Sequence, residues 1–483
     1  MNKKNVVSNM LWRFADRCGA QGISFVVSII LARILTTDEY GTIALVTVFI
    51  AILQVFVNGG FSNALIQKKD ADIVDFSTVF FFNIFSCTLI YFLLFLAAPF
   101  IADFYNQEIL TNVIRVLGLK IIISGLLSVQ TAYVTRNMMF KKYFYSNLSG
   151  SFFSGVVGVA MVYNGFGVWS LVGQALSEVA INTVVLWYTI KFRPKMTFSL
   201  ERLKGLFSFG WKVLVSNLMN TLYSNLKSLL IGKMYSTTDL AFYNKADQFP
   251  RLIITNLNVS IDSVLFSSMS KAQDNIAKVK AMARTSVKTS SYIVWPCMIG
   301  LFVCAEPLVE LLLTEQWLPC VPYLRIFCIT YGFLPVQTAN LNAIKAIGRG
   351  DIFLKLQTIG KTIGLISILI TMFIGVYAIA IAGIVVAIIE VFIKATPNKK
   401  LIGYGYVEQM KDILPSMALS AFMGICIWWI QYLNLSLILI LVLQMFAGAV
   451  VYILVSMLFK MESFNTILQI LKGFKNKLTR KQA

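Results

Sequence analysis

The segment ARILTT at residues 32–37 recurs 200 residues later as GKMYST at residues 232–237. The correspondence continues in the same order along both halves of the chain, with EYG at 39–41 matching DLA at 239–241, VQTA at 129–132 matching VQTA at 336–339, and GVW at 167–169 matching GVY at 375–377. Several matches in one order at nearly one offset indicate an internal duplication. The chain is therefore predicted to contain two copies of one structural unit.

The composition of the chain excludes a water-soluble globular protein. Of its 483 residues, 58% are hydrophobic and 13% are charged, and the mean hydropathy is +0.75. Soluble domains average about 45–50% apolar and about 25% charged residues. A chain this apolar is predicted to be an all-α integral membrane protein.

The residue types that most enzymes need are scarce. The chain has no histidine, which excludes imidazole bases and His-ligated metals, and its seven cysteines show no CxxC spacing. The P-loop, GxSxG and HExxH motifs are absent. We therefore expect neither an enzyme nor a cofactor, apart from a coupling H⁺ or Na⁺. The enzyme alternative is a membrane-embedded polysaccharide polymerase or ligase, which usually presents a large outward domain.

Fourteen windows are long enough to cross a bilayer as helices, because about 20 residues span its hydrocarbon core. They lie at residues 10–34, 41–58, 76–98, 110–134, 144–163, 168–190, 206–232, 240–268, 286–313, 321–344, 355–374, 377–394, 412–431 and 435–459. Thirty of the 42 Lys and Arg residues fall in alternate loops and in the two termini. By the positive-inside rule, both termini are predicted to be cytoplasmic.

The duplication divides these spans into domains. Each copy holds six spans, so the two copies share one orientation and are expected to enclose a central cavity. Residues 1–200 are predicted to form an N-lobe with helices 1–6, residues 201–400 a C-lobe with helices 7–12, and residues 401–460 the additional helices 13 and 14. Residues 461–483 form a basic, amphipathic tail that we expect to lie on the cytoplasmic leaflet. The basic excess thus indicates membrane association and not nucleic-acid binding.

Polar residues in several predicted spans recur every three or four positions, so they share one face of a helix. A charge at the centre of such a span costs about 2.5–3.5 kcal/mol on insertion scales. The candidate substrate-binding cations are Arg13, Arg17, Lys120, Lys212, Lys227, Arg251 and Lys361, and the candidate ion-coupling carboxylates are Asp16, Glu178 and Asp262. Surplus positive charge in a wet cavity suits an anionic ligand such as a phosphate or an acidic sugar. The alternative for the Ser, Thr and Asn residues of these faces is burial in helix–helix contacts.

Several segments resemble one family of exporters. They are LARIL at 31–35 followed by EYG at 39–41, GGFSNALIQKKD at 59–70, NLKSLLIGK at 225–233, YNKA at 243–246 and QW at 316–317. The chain resembles the polysaccharide transport family of the multidrug/oligosaccharidyl-lipid/polysaccharide exporter superfamily, the Wzx-type flippases, and in particular its colanic-acid and teichuronic-acid exporters. It departs from the family pattern at Ala241, where a glycine is usual, and at LFSS (265–268), which lacks the usual proline.

The resemblance implies a V-shaped, MATE-like fold of two six-helix lobes with two peripheral helices. It also implies a bacterial inner-membrane flippase that moves an undecaprenyl-pyrophosphate-linked oligosaccharide to the outer leaflet by alternating access. Its expected partners are this cargo, the surrounding lipids and the polysaccharide polymerase or chain-length machinery. The alternative within the superfamily is a drug or metabolite exporter.

Overall fold

The computed structural model describes residues 3–58, 60–68, 70–433 and 435–469. Within these ranges the chain forms seventeen α-helices, two short 3-10 helices at Glu315–Cys320 and Trp429–Tyr432, and no β-strand. The α-helices are α1 (Lys3–Ile34), α2 (Thr37–Asn58), α3 (Phe61–Gln67), α4 (Ile73–Tyr105), α5 (Ile109–Arg136), α6 (Phe140–Tyr163), α7 (Val168–Thr189), α8 (Leu200–Met234), α9 (Thr237–Ser270), α10 (Ile276–Val303), α11 (Ala305–Leu313), α12 (Val321–Gly332), α13 (Leu334–Ala346), α14 (Gly350–Thr371), α15 (Val376–Leu401), α16 (Tyr406–Trp428) and α17 (Leu437–Leu458).

The helices have the lengths and composition of membrane spans. In the described part of the chain, nine helical segments are long and apolar enough to cross a membrane, and a tenth if α10 and α11, bent by 66°, form one span. Each of the fourteen predicted windows coincides with a helix or a pair of helices. The all-α membrane fold is thus confirmed. The count of fourteen crossings stays a prediction, because α1, α6, α8 and α9 are more polar than the nine.

The repeated sequences form the same local structures. The turn between α1 and α2 and the turn between α8 and α9 lie 200 residues apart, and each uses a hydroxyl and a carboxylate three residues later as a cap. The backbone N–H groups of Glu39 and Asp239 both donate to such a hydroxyl, at 3.3 and 3.0 Å. Gly167 and Gly375 each have a positive φ immediately before a helix, a conformation that glycine adopts without a Cβ clash.

One compact unit of the chain comprises Met1–Ala241. One hydrophobic core of this unit joins α3, α4, α5 and α7, with Leu65, Val79 and Val129 fully buried. Helix α8 contributes Leu203 and Leu206 to this core and also packs against α2. The lobe boundary at residue 200 follows from the sequence repeat and stays a prediction.

The other unit comprises Phe242–Ala483. Its main core joins α10, α13, α15 and α16, with Val279, Val336 and Ile413 fully buried. A second cluster joins α10, α16 and α17, and Phe464 and Ile467 of the helical segment 462–469 pack against it. The start of the predicted tail therefore contacts the helices. Leu471 and the basic residues 472–481 lie outside the described residues.

Candidate functional site

In the second unit, an arginine, an aspartate and a tyrosine form a cluster between α9 and α12. The Asp247 carboxylate accepts a hydrogen bond from the Tyr331 hydroxyl at 2.6 Å and pairs with the Arg251 guanidinium at 2.8 Å. The Arg251 Nε donates to the Tyr331 oxygen at 3.4 Å. Asp247 and Arg251 lie one turn apart on α9, where Pro250 removes a backbone donor. The carboxylate is thus saturated by its neighbours, while the Arg251 side chain stays 65% exposed.

This cluster is the first of three polar contacts between α9 and the α12–α13 pair. Asn258 Nδ2 donates to Thr338 Oγ1 at 3.0 Å, and Asn342 Nδ2 donates to Asp262 Oδ1 at 2.8 Å. Each of the three contacts contains one hydrogen bond whose partners are 80 residues apart in sequence. Because this separation in sequence is constant, α9 and the α12–α13 pair must run in the same direction and keep one register along the contact. We call these three contacts the polar ladder.

Asp262, a predicted ion-coupling residue, lies at the last contact of the ladder. Its carboxylate is 47% exposed, accepts from Asn342 and lies 3.7 Å from the Lys345 ammonium. The structure therefore brings Arg251 and Asp262, two predicted site residues, onto one face of α9.

In the first unit, the predicted residues Asp16 of α1, Lys120 of α5 and Glu178 of α7 each have a polar or charged neighbour. Lys120 of α5 interacts electrostatically with Glu178 of α7. Glu178 also accepts a hydrogen bond from Ser151 at 3.5 Å, and Asp16 accepts one from Asn147 at 2.9 Å. Two residues predicted for different roles, Lys120 and Glu178, therefore lie close enough to interact electrostatically, without forming an ion pair.

The remaining predicted cations lie on α1, α8 and α14. Lys212 is exposed and forms no ion pair with the described residues, and the same face of α8 exposes Ser216, Asn220 and Ser224. Lys227 and Lys361 are half-buried, and both have interaction partners. Arg13 and Arg17 belong to α1, but their side chains are outside the described part of the chain.

The sequence patterns did not predict a charged cluster at the start of α4. Asp75 is fully buried and pairs with Lys68 at 2.7 Å and with Arg202 at 3.4 Å. Asp72 is the N-cap of α4 and also pairs with Arg202, at 2.6 Å. The backbone N–H of Asp75, with the Arg202 guanidinium, lowers the pKa of the Asp72 carboxyl. Asp70 and Asp72 have the DxD spacing of some metal sites, but in the described residues no group of three potential metal ligands is found.

A second group that the sequence did not predict is a buried network in the other unit. The Lys394 ammonium, 6% exposed, contacts the Glu390 carboxylate at 2.7 Å and the Gln337 Oε1 at 3.0 Å. Gln337 belongs to the VQTA segment at 336–339, which repeats the segment at 129–132. This repeat is the feature of the sequence from which Gln337 could have been selected. The Nε2 of Gln337 donates to the carbonyl of Ala387 at 3.1 Å, and the Nε2 of its counterpart Gln130 donates in the same way to the carbonyl of Phe192 at 3.2 Å.

Comparisons with known sequences give one matching family and several relatives. The family described as "Polysaccharide biosynthesis protein" matches residues 30–322. The succinoglycan biosynthesis transport protein ExoT of Rhizobium meliloti is 23% identical over 73% of this chain and 71% of its own length. The teichuronic acid biosynthesis protein TuaB of Bacillus subtilis is 26% identical over 72% and 73%. The lipopolysaccharide biosynthesis protein WzxC of Escherichia coli is 23% identical over 73% and 72%.

Two solved structures share the fold. The lipid II flippase MurJ in an inward closed conformation superposes with a TM-score of 0.75 and 16% identity, covering 94% of this chain and 98% of that one. An inward-facing multidrug resistance transporter of the MATE family superposes with a TM-score of 0.59 and 15% identity, covering 79% and 95%. The fold expected from the resemblance to exporters of this superfamily is thus confirmed.

Proposed function

Because this chain belongs to the family of polysaccharide biosynthesis proteins, we propose that it is a flippase for a lipid-linked oligosaccharide. The cargo we propose is an undecaprenyl-pyrophosphate-linked repeat unit, moved by alternating access between the leaflets. The names of its relatives support transport: one is a succinoglycan transport protein, and a structural neighbour is a lipid II flippase. We accordingly place the chain among transporters and not among enzymes.

The exposed guanidinium of Arg251 carries the proposal. Arg251 lies fourteen residues after the start of the 34-residue helix α9, which is about 21 Å along its axis at 1.5 Å per residue. A charge at this depth is costly against lipid, so its exposed face requires water or an ionic ligand. Asp247 and Tyr331 fix the guanidinium from one side and leave its other donors open. The open N–H donors of a planar guanidinium can bind the oxygens of a pyrophosphate or of an acidic sugar in pairs.

The other predicted residues complete the proposed transport site. Arg13, Arg17, Lys120, Lys212, Lys227 and Lys361 would attract the anionic head group, while the polyprenyl chain stays in the bilayer. Coupling to H⁺ or Na⁺ would use a carboxylate, because the chain has no histidine. The candidates are Asp16, Glu178 and Asp262, and the Asp262 side chain is 47% exposed and so open to a cation from solution.

We propose that the protein resides in the bacterial inner membrane with both termini in the cytoplasm. The distribution of Lys and Arg residues over alternate loops supports this orientation. On the outer side, the delivered repeat unit would pass to the polymerase and chain-length machinery.

The test uses cells whose surface polysaccharide depends on this chain. Arg251→Ala removes the open donors, so we expect surface polysaccharide to fall by about tenfold or more, as for the loss of a charged hydrogen bond or two. Arg251→Lys should restore part of it. The control is Arg325→Ala, which removes a guanidinium paired with Glu306 away from the ladder. Immunoblots of membranes check that each variant is present in normal amount.

The same assay applied to Arg13→Ala and Arg17→Ala tests the wider site. Normal surface polysaccharide in all three alanine variants would contradict the proposal. Proteoliposomes with a defined pyrophosphate-linked oligosaccharide separate the alternatives. A flippase exposes the intact cargo on the other leaflet, a polymerase lengthens it, and a drug exporter leaves it unmoved.

A further inference from the structure

An amphipathic groove lies between α10, α16 and α17 in the second unit. Its volume is about 820 Å³, and Leu419, Phe422, Val455 and Leu458 form its apolar wall. Phe422 and Leu458 are 51% and 77% exposed, so no described part of the chain covers them. On membrane-spanning helices such exposed apolar side chains face the lipid chains of the bilayer.

The charges at one end of the groove are not balanced. Asp412 is already neutralised by Arg284 at 2.8 Å and Lys288 at 3.3 Å, and Lys288 also pairs with Glu462 at 2.5 Å. Lys411 and Lys460 line the same end, are exposed, and form no ion pair with the described residues. Two positive charges therefore have no anionic partner in the part of the chain that the structure describes.

A third polar group adds to this end of the groove. Ser416 is 1% exposed and lines the groove, and its hydroxyl oxygen has no hydrogen-bond partner among the described residues. A buried hydroxyl without a partner is destabilising unless a ligand or water satisfies it. The groove thus combines two uncompensated cations, one unsatisfied donor and an apolar wall.

The dimensions of the groove correspond to one leaflet. Lys411 and Phe422 lie on the same helix, eleven residues apart, which is about 16 Å along α16. This is about half of the 30 Å hydrocarbon thickness of a bilayer. The basic end is the end that the distribution of cations assigns to the cytoplasm, where anionic lipid head groups attract Lys residues.

We propose that this groove binds an anionic phospholipid of the cytoplasmic leaflet. Its phosphate lies between Lys411 and Lys460, and one acyl chain lies along Phe422 and Leu458. The site is separate from the transport site proposed above and requires no cargo.

The test measures lipids bound to the purified full chain by native mass spectrometry. Phosphatidylglycerol and phosphatidylcholine with identical acyl chains are added at equal concentration, and we expect phosphatidylglycerol to be retained in clear preference. The double variant Lys411→Gln/Lys460→Gln should reduce its retention about tenfold, the effect of losing interfacial Lys–lipid attraction. Lys399→Gln/Lys400→Gln, which removes two exposed cations outside the groove, is the charge-matched control and should leave retention unchanged.

A second variant tests the apolar part of the site. Ala418 is exposed and lines the groove, so Ala418→Trp should fill it and reduce retention of both lipids, with gel filtration confirming that the variant remains monodisperse. Equal retention of the two lipids by the unmodified chain would overturn the proposal, as would an equal loss in both double variants. Displacement of phosphatidylglycerol by undecaprenyl phosphate at equal concentration would overturn the assigned occupant. Because the readout is binding without transport, failure here leaves the proposed flippase activity untouched.

Discussion

At the scale of single residues, Gly41 occupies a position where a side chain has no space. A Cβ atom there would lie 1.9 Å from the carbonyl oxygen of Thr237. The Thr237 hydroxyl donates to Asp38 at 2.5 Å and accepts from Gln107 at 3.0 Å. The two equivalent turns of the repeat therefore pack directly on each other. The repeat is not symmetric here, because the position equivalent to Gly41 is Ala241, which is buried with its side chain in place.

Gly41→Ala should destabilise the folded protein by about 1–3 kcal/mol, the usual cost of overpacking a tight contact. The measurement is thermal unfolding of the detergent-solubilised protein. Gly300→Ala is the control, because a Cβ atom added there meets no atom within 4 Å and alanine favours a helix interior. Unchanged stability of Gly41→Ala would show that the turns separate readily.

At the scale of elements, the start of α4 is fixed by charges from two other segments. Asp75 is fully buried and forms ion pairs with Lys68 and Arg202. Lys68 follows α3, and Arg202 belongs to the first turn of α8. Burial of a carboxylate is costly unless it is paired and hydrogen-bonded, and here both conditions hold. Asp75 thus joins three helices at one point.

Asp75→Asn should destabilise the protein by about 1–3 kcal/mol. The loss is smaller than the roughly 3–5 kcal/mol typical of fully buried pairs, because Lys68 and Arg202 are each 37% exposed and can be solvated. The measurement is again the unfolding temperature in detergent. Asp351→Asn breaks an exposed pair with Arg349 and should have almost no effect. Equal shifts in the two variants would contradict this role of Asp75.

The helices were predictable from the sequence, whereas the partners of the site residues were not. Apolar windows and turn residues predict where helices lie, because both signals are local, and every window coincides with a helix. Arg251 and Asp262 could be selected because charges are rare within spans. Their partners Tyr331 and Asn342 could not be selected, because a tyrosine and an asparagine are ordinary in such helices. Only the alignment of α9 with α12–α13 brings them into contact.

At the scale of the whole molecule, the basic residues predict one orientation in the membrane. The duplication predicts that both copies share this direction, since each copy holds an even number of spans. The orientation can be measured at exposed residues in the turns between the helices. Asn106, Asn137, Asn164 and Asn275 lie in turns or caps between helices, and all four are exposed.

Single cysteines introduced at these four positions into a cysteine-free variant report the orientation. Asn106→Cys and Asn164→Cys should react with a membrane-impermeant maleimide in intact spheroplasts. Asn137→Cys and Asn275→Cys should react only after the membrane is permeabilised. The fraction labelled is measured by mass shift on a gel, and the reverse pattern would contradict cytoplasmic termini.

The polar ladder has a mechanical consequence. Its contacts are spaced by seven and then four residues along α9, close to whole helical turns, and each contact uses a different pair of side chains. Sliding α9 by one turn along α12 and α13 would break the four hydrogen bonds of these three contacts together. Sliding of α9 against α12 and α13 is therefore opposed at three positions along α9. Rotation of the three helices as one rigid body would break none of these contacts. Any movement that carries Arg251 from one side of the membrane toward the other must then carry Tyr331, Thr338 and Asn342 with it.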